Sequence, residues 1–479
     1  MLTYSFEDRG KDSLYEYLYK QIKNDINAHK LAPQEKLPSK RALAKHLNIS
    51  TITVENAYSQ LVAEGYIYSI PKSGFYVNDL SGAKHGIEDL HRGKPEHLVT
   101  GNLASGKGSD STTNKTSDYF VDFVNNAIAT DNFPFTTWTK LLRETMSDYR
   151  DKLMTKSPSV GVYQLRCAIV DYLYQFRGIT VTPEQIVVGA GTEYLYGLII
   201  QLLGHDRKYA VEDPGYQKIS RIYQANRVEC VHIPLDENGV DVDALEESHA
   251  DVLHITPSHH FPTGLVTPIS RRYELLSWAS KSKDRFIIED DYDSEFRLQG
   301  KPIPALQSID VSEKVIYINT FSKSLTSTIR ISYMVLPKAL MERYNKELSF
   351  YACTVSNFEQ YTLAKFIEQG YLEKHINRMR NYYRNIRDII LKNINNRAGE
   401  KKIHIMEEDA GLHFLMQVST SLKDKELIDR AAQNGVNISC LSQYYYDQSN
   451  AIDNTFIINY SGVHEEKIEE AVDRLFESF

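Results

Sequence analysis

Short apolar runs that alternate with helical patterns limit the fold of this chain more than any other feature of its sequence. Five such runs, each followed by a loop, lie at residues 186–188, 209–211, 252–255, 286–288 and 315–318. Apolar strands separated by helices are typical of a mostly parallel sheet that helices cover. We therefore predict an α/β domain over residues 119–479. Polar residues at the carboxyl ends of its strands are site candidates.

The beginning of the chain follows a different pattern. Apolar residues recur at helical spacing over residues 12–29, directly after Ser39, and over residues 50–65. Two strand-like runs, residues 66–70 and 75–77, then flank a turn-rich tetrapeptide. Three helices followed by a hairpin form the pattern of a winged helix-turn-helix domain. We predict such an α+β, DNA-binding domain over residues 1–78.

The segment between these two parts, residues 79–118, differs from both in composition. It is rich in Gly, Ser, Lys, Asn and Thr and almost free of aromatic residues. Such a composition favours a flexible linker, and about 40 residues of flexible chain span roughly 35 Å. A linker of this length would let the two domains move independently or let one reach a second subunit.

The distribution of charge distinguishes the two domains. The whole chain carries 55 basic and 63 acidic residues, a net charge of −8, which does not suggest a nucleic-acid binder. Residues 20–72, however, carry eight basic against four acidic residues, a net charge of +4. This excess suits neutralisation of DNA phosphates, although a charged stretch is more often a solvated face.

Other features indicate the cellular compartment. The four cysteines lie far apart and form no CxxC pair, which disfavours a zinc site or a disulfide framework. The first eleven residues contain the acidic Glu7 and Asp8 and lack the apolar core that a secretory signal needs. The apolar run at residues 194–203 is shorter than the about 20 residues that a membrane span needs. We predict a cytoplasmic protein without a membrane partner.

Three strand ends carry residues suited to chemistry. Residues 189–192 (GAGT) run directly into a helical stretch, where backbone amides and a hydroxyl could bind an anion, although any tight turn favours glycine. Another strand ends in three acids and Tyr292, and a third leads to Lys323 between hydroxyls, with Arg330 seven residues later. Placing a carboxylate, a phenol and a lysine at the ends of buried apolar strands costs free energy of desolvation. The pattern therefore predicts a functional site at this edge of the sheet.

These motifs occur in an order that resembles a known family. The effector-domain motifs are GxGT at 189–192, DPGY at 213–216, PSHHFPTG at 257–264, EDDYDSEF at 289–296 and TFSK at 320–323 with Arg330. They resemble fold type I pyridoxal-phosphate proteins, specifically the aminotransferase-like half of MocR regulators. Residues 12–77 resemble the GntR winged helix through LPSKR at 37–41 and TVENAY at 53–58. The resemblance implies a smaller C-terminal α+β subdomain over about residues 341–479.

The resemblance implies pyridoxal 5'-phosphate as the cofactor and assigns roles around its ring. Lys323 would be the lysine whose amine condenses with the cofactor aldehyde. Asp290 would pair with the ring nitrogen, Tyr292 would bind the ring hydroxyl oxygen, and Tyr216 would stack on the ring. The phosphate would be held by the amides of Ala190, Gly191 and Thr192, the hydroxyls of Thr320 and Ser322, and the guanidinium of Arg330.

The resemblance also implies double-stranded operator DNA as a partner. It places residues 50–64 in the major groove and residues 72–74 at the tip of the wing. The implied DNA-contacting residues are Ser39, Lys40, Arg41, Ser50, Thr51, Thr53, Lys72, Ser73 and Gly74. Family members often carry arginine at the position of Thr51, so one expected base contact is missing here.

Two functions remain open from the residues: a regulator that senses a small molecule, and a working aminotransferase. An aminotransferase needs an arginine that clamps the substrate carboxylate, which in the family follows a C-terminal strand. The matching stretch, residues 456–463 (FIINYSGV), has none, and Gly462 occupies the key position. The GABA-sensing MocR branch has arginine there and at the position of Lys218.

We therefore predict a regulator rather than an enzyme, with pyridoxal phosphate itself as effector, as in the branch that controls vitamin B6 synthesis. A sensor of an amino acid or amine, and an active aminotransferase, are the alternatives. The family resemblance also implies a head-to-tail homodimer in which the winged helix meets the partner subunit. Two departures from the family are His260, where MocR proteins usually have glutamine, and residues 326–328, where they commonly have Pro-Gly.

Overall fold

The fold is described from a computed structural model. The structure describes residues 4, 6, 9, 12–28, 30–70, 73–78, 119–125, 132–298, 303–399, 402–408 and 411–479. The predicted linker, residues 79–118, and the predicted DNA contact Lys72 lie outside the described residues.

The N-terminal domain is the predicted winged helix. Its elements are α1 (Leu14–Asn27), α2 (Lys40–Leu47), α3 (Thr51–Ala63), β1 (Ile67–Ile70) and β2 (Gly74–Val77). Ser39 caps α2 by accepting the amide of Ala42 at 3.2 Å, and Ser50 caps α3 by accepting the amide of Thr53 at 3.0 Å. Gly65, at a φ of +76°, ends the α3 region and lets the chain turn into the hairpin.

The larger C-terminal part is built around an eight-stranded sheet. Its strands are β4 (Ile186–Gly189), β5 (Lys208–Asp213), β6 (Glu229–Asp236), β7 (Gly239–Val240), β8 (Val252–Ile255), β9 (Phe286–Asp290), β10 (Val315–Thr320) and β11 (Ser332–Val335). The short strand β3 (Val121–Asp122) precedes them in the chain and does not belong to this sheet. The order is β4-β11-β10-β9-β8-β5-β6-β7, and the run from β10 to β6 is parallel. The predicted mostly parallel sheet is therefore confirmed, with β11 antiparallel to both of its neighbours.

Helices cover both faces of this sheet. They are α4 (Phe135–Asp148), α5 (Arg150–Leu153), α6 (Tyr163–Arg177), α7 (Thr192–Leu203), α8 (Gln217–Ala225), α9 (Val242–Glu247), α10 (Ile269–Ser280), α11 (Phe321–Ser324), α12 (Lys338–Glu347) and α13 (Asn357–Glu368). Along β9, Ile287 packs in the core that contains α10, whereas Ile288 packs in the core that contains α7. Successive side chains of a strand point to opposite faces, which explains why these strands are apolar throughout.

A smaller antiparallel sheet follows. Its elements and their neighbours are α14 (Tyr371–Ala398), β12 (Ile403–Met406), β13 (His413–Val418), α15 (Asp424–Gln433), β14 (Val436–Asn437), β15 (Ser439–Cys440), β16 (Thr455–Asn459) and α16 (Ile468–Phe476). The sheet order is β12-β13-β16-β15, and β14 pairs with β3. The apolar core of this part contains buried residues of α14 from Met379 on, together with Val121 and Phe123. The buried residues of α13 pack instead in a core of the large sheet. The core of the small sheet begins along α14, and the subdomain boundary at about residue 341 stays a prediction.

The winged helix contacts the large domain of its own chain. Ile269 and Tyr273 of α10 pack with the apolar core of the winged helix, and the Ile269 amide donates to the Glu64 carbonyl at 3.2 Å. Among the described residues, no helix combines the length and the apolar character needed to cross a membrane.

Candidate functional site

A cavity of about 540 Å³ lies where the predicted site residues meet. Eight of the ten predicted cofactor-binding residues line it: Thr192, Tyr216, Asp290, Tyr292, Thr320, Ser322, Lys323 and Arg330. They come from segments separated by up to 138 positions in sequence. They meet because β9 and β10 are parallel neighbours whose carboxyl ends lie at the same edge of the sheet.

Lys323 lies on the short helix α11, directly after β10. Thr320 caps this helix by accepting the amide of Ser322 at 3.1 Å, which fixes the turn that carries the lysine. Burial lowers the pKa of Lys323 from 10.5 to about 8, against the opposing effect of the negative charge on Asp293. About a tenth of its amine is therefore neutral, and so nucleophilic, at pH 7.

Asp290 ends β9 and is almost fully buried. Its Oδ2 accepts a hydrogen bond from the hydroxyl of Tyr196 and lies 3.7 Å from Nε2 of His254. Its Oδ1 has no hydrogen-bond partner within the described part of the chain. A buried carboxylate oxygen without a partner is costly, so this geometry suits a ligand that donates a hydrogen bond, above all a cationic one.

Tyr196 and His254 are site residues that were not predicted from the sequence. Tyr196 follows the predicted Thr192 by one helical turn of α7, so both line the same cavity. His254 lies on β8, and its Nδ1 is 2.7 Å from the hydroxyl of Tyr223. The turn-length spacing on α7 is the only sequence signal that could have indicated Tyr196.

Tyr292 lies beside a buried polar pair. Its hydroxyl is 3.3 Å from Nδ1 of His259, and the same nitrogen is 2.9 Å from Oδ2 of Asp293. Burial, reinforced by the negative charges of Asp293 and Asp290, raises the pKa of Tyr292 well above its usual value. The phenol is therefore a neutral hydrogen-bond donor at physiological pH. Gly411 leaves room for the imidazole, since a Cβ there would lie 1.8 Å from a His259 ring carbon.

The other end of the cavity carries the predicted anion site. The buried hydroxyl of Ser322 has no hydrogen-bond partner among the described residues. The guanidinium of Arg330 lies against Gly191, where an added Cβ would be 2.1 Å from NH2. Glu193 forms ion pairs with both Arg330 and Lys218. Although partial burial would raise the pKa of Glu193, hydrogen bonds from these two cations lower it to about 2.

Two predicted phosphate donors are engaged elsewhere in the protein. The amide of Ala190 donates to the hydroxyl of Thr354 at 2.9 Å, and the amide of Gly191 donates to the carbonyl of Gly189 at 3.0 Å. Neither residue lines the cavity. A bound phosphate would have to compete with these two bonds, whereas Thr192 lines the cavity at the start of α7.

Aromatic side chains form one wall of the cavity. The Tyr216 side chain is 49% exposed, and its ring lies edge-on to Phe261 at 5.8 Å between centroids. Phe261 in turn lies edge-on to Tyr444 at 5.2 Å. The carbonyl of Tyr444 accepts the amide of Gly215 at 3.1 Å. The small domain therefore contacts the turn that carries Tyr216.

The predicted DNA face combines capping residues with exposed side chains. Ser39 and Ser50 cap α2 and α3, and Lys40 forms a 2.5 Å ion pair with Glu55 that joins the two helices. Arg41 and Thr51 are exposed. At the tip of the wing, the Ser73 hydroxyl lies 2.6 Å from that of Tyr76, next to Gly74. Ile52, which was not predicted as a contact, is 68% exposed at the start of α3.

Comparison with known families agrees with both halves of this description. Residues 14–77 match the model of bacterial regulatory proteins of the gntR family. Residues 120–475 match the model of class I and II aminotransferases. The chain belongs to the MocR subfamily of GntR-type transcriptional regulators.

Individual relatives support this assignment. The chain is 38% identical to an uncharacterized HTH-type transcriptional regulator, YdeL, of Bacillus subtilis, with 96% of each chain covered. It is 29% identical to the pyridoxine biosynthesis transcriptional regulator PdxR of Corynebacterium glutamicum, over 94% of this chain and 92% of PdxR. A kynurenine aminotransferase structure from Pyrococcus horikoshii has a TM-score of 0.66 and 26% identity, over 76% of this chain and 91% of that one.

The MocR-type regulator shares the fold of the pyridoxal-phosphate-dependent aminotransferases, and its named relatives support a regulatory role rather than an enzymatic one. The cavity fits pyridoxal phosphate in three respects. Asp290 Oδ1 and Ser322 Oγ are buried oxygens without a protein partner among the described residues, and the glycine at position 191 makes room for Arg330. Asp290 Oδ1 would suit a ring N–H, whereas Ser322 Oγ and the Arg330 guanidinium would suit a phosphate.

The cavity of this MocR-type regulator has few cationic side chains that could bind a carboxylate in addition to a phosphate. Among its described lining residues, the lysines and arginines are Lys218, Lys323 and Arg330. Gly462, at the position of the expected clamp arginine, is not one of the lining residues. Lys218 is already paired with Glu193. The cavity therefore favours one anionic group, near Arg330, over two.

Proposed function

We propose that this MocR-type regulator binds pyridoxal 5'-phosphate in the cavity and changes its binding to operator DNA in response. The observation that carries the proposal is that the same cavity contains Lys323 and two buried oxygens, Asp290 Oδ1 and Ser322 Oγ, without protein partners among the described residues. A buried polar atom without a protein partner carries a free-energy cost, and a ligand that supplies the partner would remove it.

Each end of the cavity would bind a different part of the cofactor. When bound, pyridoxal phosphate supplies an aldehyde that reacts reversibly with an amine, and Lys323 supplies that amine in a partly neutral form. Asp290 would hold a proton on the ring nitrogen, and Tyr292 would donate to the ring hydroxyl oxygen. Tyr216 would cover one ring face.

The phosphate would lie between α7 and α11. Its proposed donors are the amides of Ala190, Gly191 and Thr192, the hydroxyls of Thr320 and Ser322, and the guanidinium of Arg330. Arg330 now shares Glu193 with Lys218, so the arriving phosphate would compete with a carboxylate for the same guanidinium. An aminotransferase-like domain would then hold its cofactor as a signal and not as a catalyst.

We further propose that pyridoxal phosphate is itself the effector and that the regulator controls genes of vitamin B6 synthesis. Two observations support this: the described lining of the cavity lacks an arginine at the clamp position, and PdxR is similar along nearly its whole length. The winged helix would contact operator DNA through α3 and the hairpin. The protein would act in the cytoplasm as a head-to-tail homodimer, in which the winged helix would meet the partner subunit in addition to the large domain of its own chain.

An amine or amino-acid sensor is the second candidate. Lys218 lines the same cavity and could hold an additional carboxylate if Glu193 released it. Such a sensor would need both the cofactor and an amine before its DNA binding changed.

Titration of the apo-protein with pyridoxal phosphate alone distinguishes the two candidates. Operator fragments are first selected from genomic DNA by the full-length protein, and binding to them is then measured by fluorescence anisotropy at fixed salt. A change in affinity with pyridoxal phosphate alone supports the cofactor as effector. A change that appears only after an amine or amino acid is added supports the second candidate and rejects the first. Sedimentation velocity of the same samples tests the proposed dimer.

A further inference from the structure

The winged helix and the large domain meet at a closely packed surface. On the winged-helix side it contains Glu64 and Gly65, and on the large-domain side Pro268 and Ile269 from the start of α10. The Ile269 amide donates to the Glu64 carbonyl at 3.2 Å, and a Cβ added at Gly65 would lie 2.8 Å from the Cβ of Pro268. Ile269 is buried within the apolar core of the winged helix. A small movement of α10 would therefore be transmitted to the winged helix.

The contact involves the carboxyl end of α3, the helix whose other end is predicted to enter the major groove. Glu64 directly follows α3 and is buried. Its carboxylate accepts the hydroxyl of Tyr19 at 2.7 Å, the amide of Gln60 at 2.6 Å and the ammonium of Lys23 at 3.1 Å. These bonds fix the end of α3 to α1. The orientation of α3 therefore depends on how this end contacts the large domain.

The buried side chain of Arg272 joins this surface to segments that reach the cavity. Its Nε donates to the carbonyl of Thr267 at 2.8 Å, its NH2 to that of Pro257 at 2.8 Å, and its NH1 to that of Pro304 at 2.6 Å. Arg272 thus fixes both ends of the loop 257–267. A planar guanidinium donates in several fixed directions at once, which a lysine ammonium on a flexible stem cannot reproduce.

The loop that Arg272 fixes is part of the cavity. Phe261 lines the cavity, in contact with Tyr216 and Tyr444, and the loop ends at Thr267, next to Pro268 of the interdomain surface. The same loop carries His259, which lies beside Tyr292. A ligand that moves Phe261 or Tyr292 would therefore shift a loop whose far end adjoins Pro268, the residue that packs against Gly65.

The carbonyl of Pro304, the third acceptor of Arg272, connects it by a separate route to β9, the strand that carries Asp290. Pro304 precedes Leu306 and Gln307, whose amides donate to the Glu289 carboxylate at 2.7 and 2.8 Å. Glu289 is the neighbour of Asp290 on β9. Ile309, farther along this segment, packs with the winged-helix core. Arg272 therefore contacts both routes that lead from the cavity to the winged helix.

We propose that Arg272 is the positioning residue that transmits occupancy of the cavity to the winged helix, through the loop 257–267 and the surface formed by Gly65, Pro268 and Ile269. This inference rests on the proposed function, because it takes pyridoxal phosphate as the occupant. It adds a route by which a ligand in the cavity changes the orientation of the DNA-reading helix.

The test compares Arg272→Lys with Arg271→Lys in the full-length chain. Arg271 is a matched control, because it is the adjacent arginine but its side chain binds Asp236, Glu274 and the carbonyl of Val240 instead. Two quantities are measured with and without pyridoxal phosphate: the visible absorbance band of the lysine-bound cofactor, and hydrogen exchange of the amides in residues 60–67. We expect all three proteins to form the band. Wild type and Arg271→Lys should change exchange at residues 60–67 on binding, and Arg272→Lys should not.

A second pair of variants tests the surface itself. Gly65→Ala places a methyl against Pro268, whereas Gly370→Ala has a similar φ, +71°, and no neighbour within 4 Å of the added Cβ. We expect Gly65→Ala alone to abolish the exchange response while keeping the absorbance band.

The outcomes separate the two proposals. A band in wild type without any exchange change at residues 60–67, or a full change in both Arg272→Lys and Gly65→Ala, overturns the transmission route and leaves the cofactor site standing. Absence of the band in wild type overturns the proposed function, and the inference with it.

Discussion

The guanidinium of Arg330 lies so close to Gly191 that a β-carbon at position 191 would come within 2.1 Å of NH2. Gly191 has a φ of +91°, in the region that L-residues with side chains rarely adopt. The glycine therefore serves two purposes: it forms the sharp turn from β4 into α7, and it leaves room for the cation that the proposed phosphate would meet.

Gly191→Ala should weaken pyridoxal phosphate binding by about tenfold or more, since displacing Arg330 removes a charge-assisted bond worth about 1.5–3 kcal/mol. Equilibrium titration of the absorbance band measures this. Gly178→Ala is the control for backbone strain, because it has a φ of +67° and no neighbour within 4 Å of the added Cβ. Equal losses of cofactor affinity in the two variants would contradict a specific role for the space at Gly191.

The rate at which pyridoxal phosphate attaches should follow the titration of Lys323. Its pKa is lowered to about 8, and only the neutral amine attacks, so the rate should rise about tenfold per pH unit below 8 and level off above it. Stopped-flow absorbance between pH 6.5 and 9.5 measures the profile. Lys323→Ala should show no band at any pH while retaining the circular dichroism of a folded protein. A rate still rising steeply above pH 9 would contradict the lowered pKa.

Asp290→Asn should have opposite effects on the stability of the apo and cofactor-bound proteins. In the apo-protein the change removes a buried charge whose Oδ1 lacks a partner among the described residues, so we expect the free energy of unfolding to rise by about 1 kcal/mol. With pyridoxal phosphate bound, the lost pairing with the ring nitrogen should lower affinity and so remove most of the ligand-induced rise in Tm. Calorimetry of both forms measures this. A less stable apo-variant would argue that Asp290 has a purely structural role.

Lys40→Ala should weaken binding to all DNA sequences by a similar factor and reduce the slope of log affinity against log salt by about 1. Lys40 is half-buried beside Glu55 on the proposed DNA face, and phosphate contacts carry no sequence information. Anisotropy at several salt concentrations, with operator and unrelated DNA, measures both effects. Lys338→Ala, an exposed lysine of the large domain paired with Glu313, should leave the slope unchanged. An unchanged slope in Lys40→Ala would remove Lys40 from the interface.

The sequence by itself determined the two domains and most local elements. The caps at Ser39 and Ser50, the stop at Gly65 and the apolar runs act within a few residues, where spacing and side-chain chemistry are sufficient. The carboxyl-end rule for parallel strands then predicts why Asp290 and Lys323 meet. The order of the motifs between residues 189 and 330 indicates the family.

Tertiary structure alone decided what surrounds those residues. Tyr196 and His254 reach Asp290 because α7 and β8 pack behind it, and Thr354 takes the amide of Ala190 from a distant segment. The docking of Gly65 on Pro268, and the three carbonyls that converge on Arg272, likewise join segments that no local pattern relates. Such contacts depend on the packing of whole elements, because a side chain's partners across a core are set by the positions of the elements and not by its neighbours in the chain.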